Sequence, residues 1–253
     1  MYATVTDERG EPVGNLTAAD FRVAEDGVPQ TVSAFAAGEF PLSVAIGVDR
    51  SFSMASGKVD RLSAVKAAAR TFVAALRSDD QVMVLSVGSE TEVAAPLSAD
   101  RSAALAAIDR IEAWGTTPLY DAAVQAIDAI QSAKGRRALL LLSDGIDRDS
   151  NTTAAELLDR ARRSDVLVYP VAVGQERAPV FAELAAATGG RSFFVKDPRE
   201  LTARMTTIAR ELRFQYLLGY TPPRGGEPGW RSIDVTLNRS GVRVRARDGY
   251  FSR

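Results

Sequence analysis

Two hydrophobic rhythms divide this chain. Near the N-terminus the period is two. "YATVTDERGEPV" alternates Thr and Val before a turn at Arg9-Gly10, and "FRVAEDGVPQTVSAF" carries an Asp26-Gly27 turn between short alternating runs. Both predict strands, the second a hairpin. From Pro41 the rhythm changes. "LSVAIGV" is apolar at successive positions, as in a central parallel strand covered on both faces. Helix-periodic "VDRLSAVKAAARTFVAALR" follows, then the strand "QVMVLSVG" and a short edge strand "TEVAAPLS" that Pro96 ends. "DRSAALAAIDRIEAW" and "PLYDAAVQAIDAIQSAKG" predict helices, and "RALLLLSDG" a second fully apolar strand. A capping box, Thr153 to Glu156, opens the helix "AAELLDRARR". "VLVYPVAVG", "PVFAELAAATGG", "RSFFV" and "PRELTARMTTIARELR" continue the alternation of strand and helix.

After Phe214 the period returns to two in "FQYLLGYTPP", "WRSIDVTLN" and "VRVRARDGYF". In the last, Val242, Val244 and Ala246 alternate with Arg243, Arg245 and Arg247, which predicts a half-buried strand with a solvated charged face. Pro222 to Gly229 reads as a Pro/Gly loop. Neither terminal β-region is long enough to bury a core alone. They are expected to pair with each other as a small β-sandwich, residues 1–40 and 214–253, into which an α/β unit, residues 41–213, is inserted. Strands alternating with helices imply right-handed crossovers and a doubly wound, mostly parallel sheet.

Composition narrows the chemistry. The 253 residues contain no Cys and no His. Thiol nucleophiles, disulfides and an ordinary Ser-His-Asp triad are excluded. Zinc and copper sites rely on imidazole and sulfur, so any metal is expected on oxygen ligands. Basic and acidic residues number 31 and 32, so no global field attracts nucleic acid or anionic lipid. No apolar run approaches the ~20 residues of a membrane helix, and no charged-then-apolar leader follows Met1.

Oxygen-bearing side chains gather where parallel strands end. Asp49 follows the first apolar strand and Asp144 the second, and ligands of open α/β sheets bind outside such carboxyl ends. Ser51 and Ser53 lie in the same loop as Asp49. Thr117 precedes Pro118, as an N-cap before a proline at the first helical position. Asp49-x-Ser51-x-Ser53, then Thr117, then Asp144 resembles the metal-ion-dependent adhesion site of von Willebrand factor type A domains. The chain is also similar, over nearly its whole length, to a bacterial family of exported proteins related to that domain. The likeness runs through "LTAADFRVAEDGVPQ", "DRSFSM", "GTTPLYDA", "LLSDGIDRDS", "ATGGR", "ELRFQYLLGY" and "RDGYF".

The resemblance implies a six-stranded sheet with Mg²⁺ at its top, Mn²⁺ or Ca²⁺ being alternatives. Ser51 and Ser53 would ligate directly, Thr117 directly or through water, and Asp49 and Asp144 would supply charge. An open position would accept an Asp or Glu of a protein partner. Thr116 stands where the family usually has Gly, and Phe52 replaces a small residue between the serines. Arg50, Phe52, Thr116, Tyr120 and Asp147 are the expected partner-facing rim, with Arg50 shielding the site's charge or pairing with a carboxylate and Asp147 tuning the site. Trp114 and Tyr120, taken singly, read as packing residues. The family likeness also implies export.

Other motifs fail. "DRDSN" lacks the Gly and Glu of an EF-hand loop, and "SGKVD" lacks the first Gly and the Ser/Thr of a P-loop. The sequence therefore predicts a metal-dependent protein-binding module rather than an enzyme. The alternatives are a Mg²⁺-assisted hydrolase using Asp49 or Asp144 as base, and an assembly protein whose metal only staples loops.

Overall fold

The computed structural model describes residues 1–56, 60–222 and 228–252. The "SGKVD" stretch and the Pro222–Gly229 loop fall largely outside them. In chain order the first elements are β1 (Tyr2–Asp7), β2 (Phe21–Glu25), β3 (Val28–Gln30), β4 (Ala34–Gly38), β5 (Leu42–Asp49), α1 (Phe52–Ala55), α2 (Arg61–Ala75), β6 (Gln81–Val87), β7 (Thr91–Ser98), α3 (Arg101–Arg110) and α4 (Leu119–Gln131). There follow β8 (Arg136–Ser143), α5 (Ala154–Arg163), β9 (Val166–Val173), α6 (Pro179–Thr188), β10 (Phe193–Val195), α7 (Leu201–Arg213), β11 (Gln215–Gly219), β12 (Gly229–Leu237), β13 (Val242–Ala246) and β14 (Gly249–Ser252).

The central sheet has the order β10-β9-β8-β5-β6-β7, parallel except for β7. Every residue of β5 is buried. Its side chains alternate between two apolar layers, Val44, Ile46 and Val48 toward α2, α3 and α7, and Ala45 toward α4, α5 and α6. After β5 the chain builds β6 and β7 on one side, then crosses to build β8 on the other. The loops after β5 and β8 thus part in opposite directions and leave a crevice at their carboxyl ends.

The terminal segments form two four-stranded antiparallel sheets, β13-β1-β11-β4 and β14-β12-β2-β3, each mixing strands from both ends of the chain. Between them lies a core of Ala3, Val5, Phe21, Val23, Tyr216 and Leu218. The Tyr216 hydroxyl donates to Val13 O (2.6 Å) and accepts from Leu16 N (3.2 Å), so the ring's polar end is satisfied inside. Asp26 and Gly27 both adopt positive φ (48° and 78°), which turns β2 into β3.

Three expectations need correction. Pro96 lies inside β7 and does not end it. The strand is at the sheet edge, and its pairing with β6 slips between Val82 and Leu85, where a residue without N–H fits. Helix α3 stops at Arg110, short of Trp114. Lys66 Nζ takes up the carbonyls of Asp109 and Ile111 (2.9 Å each) and closes its end. The arginine face of β13 is not simply solvated. Arg243 is exposed, but Arg245 pairs with Glu211 on α7 and Arg247 with Asp165, both at 2.5 Å, because this face lies against the α/β unit.

The two lobes meet on buried charge. Glu211 is fully buried and gripped by Arg191 and Arg245, each at 2.5 Å. At the start of β8 the buried Arg136 guanidinium donates to Phe40 O (2.6 Å), Gln215 Oε1 (2.9 Å) and Leu212 O. Gln215 Nε2 in turn donates to Thr4 Oγ1 of β1 (2.7 Å). One side chain therefore binds both points where the chain passes between lobes. Arg136→Met should leave three acceptors without a donor and destabilise the protein by roughly 2–5 kcal/mol. Urea unfolding checks this, and an unchanged midpoint would assign the lobe junction to apolar contact instead.

Candidate functional site

Strand β5 ends by carrying Asp49 into a corner with no solvent exposure. The Oδ1 atom accepts from Ser51 N (2.9 Å) and from the Thr117 hydroxyl (3.1 Å). The Oδ2 atom accepts from the Ser143 hydroxyl (2.6 Å). Burial pushes the Asp49 carboxyl above its ordinary pKa, and the nearby Asp144 charge adds to this; the bonds from Ser143 and Ser51 oppose it. Ser51 opens the short turn of α1, whose Met54 is wholly buried and anchors the loop.

Asp144 sits one residue past β8. Its Oδ2 accepts from the Ser53 hydroxyl (2.7 Å) and its Oδ1 from Ile146 N (3.0 Å). Ser51 Oγ and Ser53 Oγ are 3.0 Å apart. The Ser53 proton is committed to Asp144, so Ser51 is the donor in that pair. The third loop is tied in by its backbone: Arg148 N donates to Thr117 O (2.8 Å), and Phe52 N to Gly115 O (3.1 Å). The five predicted oxygen-bearing residues, Asp49, Ser51, Ser53, Thr117 and Asp144, thus converge in one place. Among the described residues no group of three or more His, Cys, Asp or Glu side chains is placed to hold a metal. This corner offers two carboxylates and a set of hydroxyls.

Several side chains sit otherwise than the sequence suggests. Pro118, not Thr117, occupies the cap position of α4, and the Thr117 hydroxyl reaches across to Asp49 instead. Arg50 makes no contact with either site carboxylate. Its guanidinium lies 5.1 Å from the Trp114 ring centroid and 3.7 Å from Glu92. Asp147 faces inward, accepting from Tyr120 N (3.1 Å) and Ser150 Oγ (2.6 Å), and so closes its loop onto α4. Tyr120 packs on the apolar layer beneath that helix. Thr116 is exposed, and its backbone N–H donates to Ser89 Oγ (3.0 Å). Phe52 is 60% exposed, and Trp114, read as packing, is 48% exposed.

Sequence reasoning missed Ser143. A hydroxyl closing an otherwise apolar strand was the available signal. Its side chain supplies the shortest bond to Asp49 and also accepts from Gly145 N (3.0 Å).

Comparison with known proteins bears on the fold that carries this corner. Residues 44–146 match the family model of the von Willebrand factor type A domain. Comparison with curated protein sequences gives no match. Among solved structures, a von Willebrand factor type A protein from Catenulispora acidiphila is 17% identical with a TM-score of 0.60, over 97% of this chain and 72% of that one. An aerotolerance-related membrane protein from Bacteroides fragilis is 18% identical with a TM-score of 0.57, over 68% of this chain and 98% of that one. Proximal thread matrix protein 1 of the mussel byssus, in a structure with a zinc-occupied MIDAS motif, is 14% identical with a TM-score of 0.60, over 75% of this chain and 50% of that one. At these identities the structural likeness establishes fold alone. The parallel-sheet unit of this chain thus shares the fold of these structures, and the von Willebrand factor type A family model matches residues 44–146 within it.

Proposed function

We propose that this chain is a metal-ion-dependent protein-binding module whose recognition point is the loop cluster after β5 and β8. One observation carries the reading. Asp49 is wholly buried, its described hydrogen-bond partners include no cation, and a second carboxylate stands in the same corner. Two negative charges so placed call for a positive ion between them. The donor set fits one. Ser51 Oγ and Ser53 Oγ are 3.0 Å apart, close to the ~3 Å between adjacent ligands of an octahedral cation at about 2.1 Å. Ser53 and Thr117 point their protons at carboxylates, which leaves oxygen lone pairs free.

Ser51, Ser53 and Thr117 would hold the ion through their hydroxyls, and Asp49 and Asp144 would balance its charge. Oxygen donors alone suit Mg²⁺, with Mn²⁺ or Ca²⁺ as alternatives. When bound, the ion supplies a Lewis-acidic coordination position for an Asp or Glu of a protein partner. Both site carboxylates already accept hydrogen bonds, which suits holding charge better than abstracting a proton. The zinc-occupied motif of the mussel protein supports a metal at this corner of the fold. An extracytoplasmic setting is part of the reading, supported by the membrane-protein description of the Bacteroides fragilis relative. No helix among the described residues is long and apolar enough to cross a membrane.

Thermal unfolding in EDTA and then in Mg²⁺, Mn²⁺ or Ca²⁺ should show a saturable rise. It should approach about 2.7 kcal/mol at a hundred times the dissociation constant. Asp49→Ala and Ser53→Ala should abolish it. A rise that survives both substitutions places the cation elsewhere.

Buried Asp49 gives the protein a pH signature. Without the ion, Asp49 holds its proton more tightly in the folded than in the unfolded protein. Its contribution to stability is complete below about pH 4 and is lost as pH rises through its folded pKa. In EDTA, wild type should therefore lose stability relative to Asp49→Asn as pH rises above about 4, the ordinary carboxylate value. Saturating cation should reverse the order at pH 7. Parallel urea titrations of the two proteins measure the difference, and identical pH profiles would remove the need for a compensating ion.

A further inference from the structure

Only five large apolar side chains are prominently exposed among the described residues: Val28, Phe52, Val93, Trp114 and Ile146. Val28 and Val93 lie in edge strands. The other three belong to the loops that carry the oxygen cluster. Phe52 (60% exposed) stands between Ser51 and Ser53, Trp114 (48%) precedes Gly115 and Thr117, and Ile146 (44%) follows Asp144. Each is fastened by its backbone. Phe52 N donates to Gly115 O (3.1 Å), Trp114 N to Arg50 O (2.7 Å), and Ile146 N to Asp144 Oδ1 (3.0 Å).

The Trp114 side is built to be rigid. Arg50 stacks on the indole and is held toward Glu92. A Cβ on Gly88 would come within 3.1 Å of both Arg50 Nε and Trp114 O, so the absent side chain admits this packing. Gly115 turns the chain at φ +78°, where a Cβ would meet Ser89 Oγ at 2.3 Å. An exposed tryptophan fixed in this way loses little entropy when covered, and a ring of apolar side chains excludes water from polar contacts at its centre.

We propose that Phe52, Trp114 and Ile146 form an apolar collar around the metal-binding loops, and that the partner is a protein segment whose acidic residue is flanked by aromatic or aliphatic side chains. The proposal rests on the metal-dependent reading above. Charge complementarity sets the centre of the occupant, a carboxylate facing a cation. The collar sets its surroundings, because charged or polar neighbours would be desolvated against Phe52 and Trp114 without partners. Arg50 thus acts as the support of Trp114 rather than as a counter-charge to the site.

The test has two stages, both on the full chain. Mn²⁺ binding by wild type, Phe52→Ser and Trp114→Ser is first measured by calorimetry. All three should bind equally, since neither substitution removes a ligand oxygen, and both variants should keep a cooperative unfolding transition. Displayed heptapeptides with a fixed central Asp and random flanks are then selected on wild type in Mn²⁺ and eluted with EDTA. Aromatic and aliphatic residues should be enriched beside the Asp. A selected peptide should lose roughly 10- to 100-fold in affinity on Trp114→Ser, as interface tryptophans do, and a lesser factor on Phe52→Ser. Polar flanks, unchanged affinity for both variants, or no Mn²⁺-dependent peptide despite normal Mn²⁺ binding would each overturn the collar. Failure of wild type to bind Mn²⁺ would instead overturn the metal reading and the collar with it.

Discussion

A carboxylate without water is the constraint around which the upper edge of this protein is organised. Strand β5 is buried along its whole length and ends in Asp49, whose charge cannot be left bare in that environment. Its oxygens draw a backbone N–H from its own loop, a hydroxyl from the loop before α4 and a hydroxyl from the end of β8. Three segments far apart in sequence are thereby fixed to one point. One buried carboxylate thus orders the loops of this corner.

The lower edge has its own buried charges. Arg136 binds the carbonyls at both passages between lobes, and Glu211 is clasped by one arginine from each lobe. Such groups add geometric definition even where their net stabilisation is small, since any other docking of the lobes leaves them unpaired. With α7 running from the α/β unit into β11, the sandwich is fixed relative to the sheet that presents the candidate site.

Between oxygens and rim there is a division of labour. Hydroxyls and carboxylates face inward and bond to one another. Phe52, Trp114 and Ile146 face outward from the same loops. Arg50 and Asp147, charged residues adjacent to the site in sequence, are spent on support, one beneath an indole and the other at the start of α4. Proximity along the chain to a ligand-bearing position thus says little about which way a charged side chain turns.

The order of strands and helices, the doubly wound sheet and the clustering of Asp49, Ser51, Ser53, Thr117 and Asp144 were legible in the sequence. Periodicity is a local property, and the carboxyl ends of parallel strands lie together in any sheet of this class. Other features were not legible, because each is decided by a partner remote in sequence. Ser143 reaches a carboxylate 94 residues away, Arg245 a glutamate 34 away, and Arg136 a carbonyl 76 away. Arg245 alternates with valines just as a solvated residue would, and only the docking of a second lobe turns its face inward. Trp114 has the composition of a core residue, yet Gly88 and Gly115 bring its loop onto Arg50 and leave the ring in solvent. Sequence by itself determined which residues share a strand end or a face. Tertiary structure alone decided what each face meets, because burial and hydrogen bonding are settled between segments that local pattern does not relate.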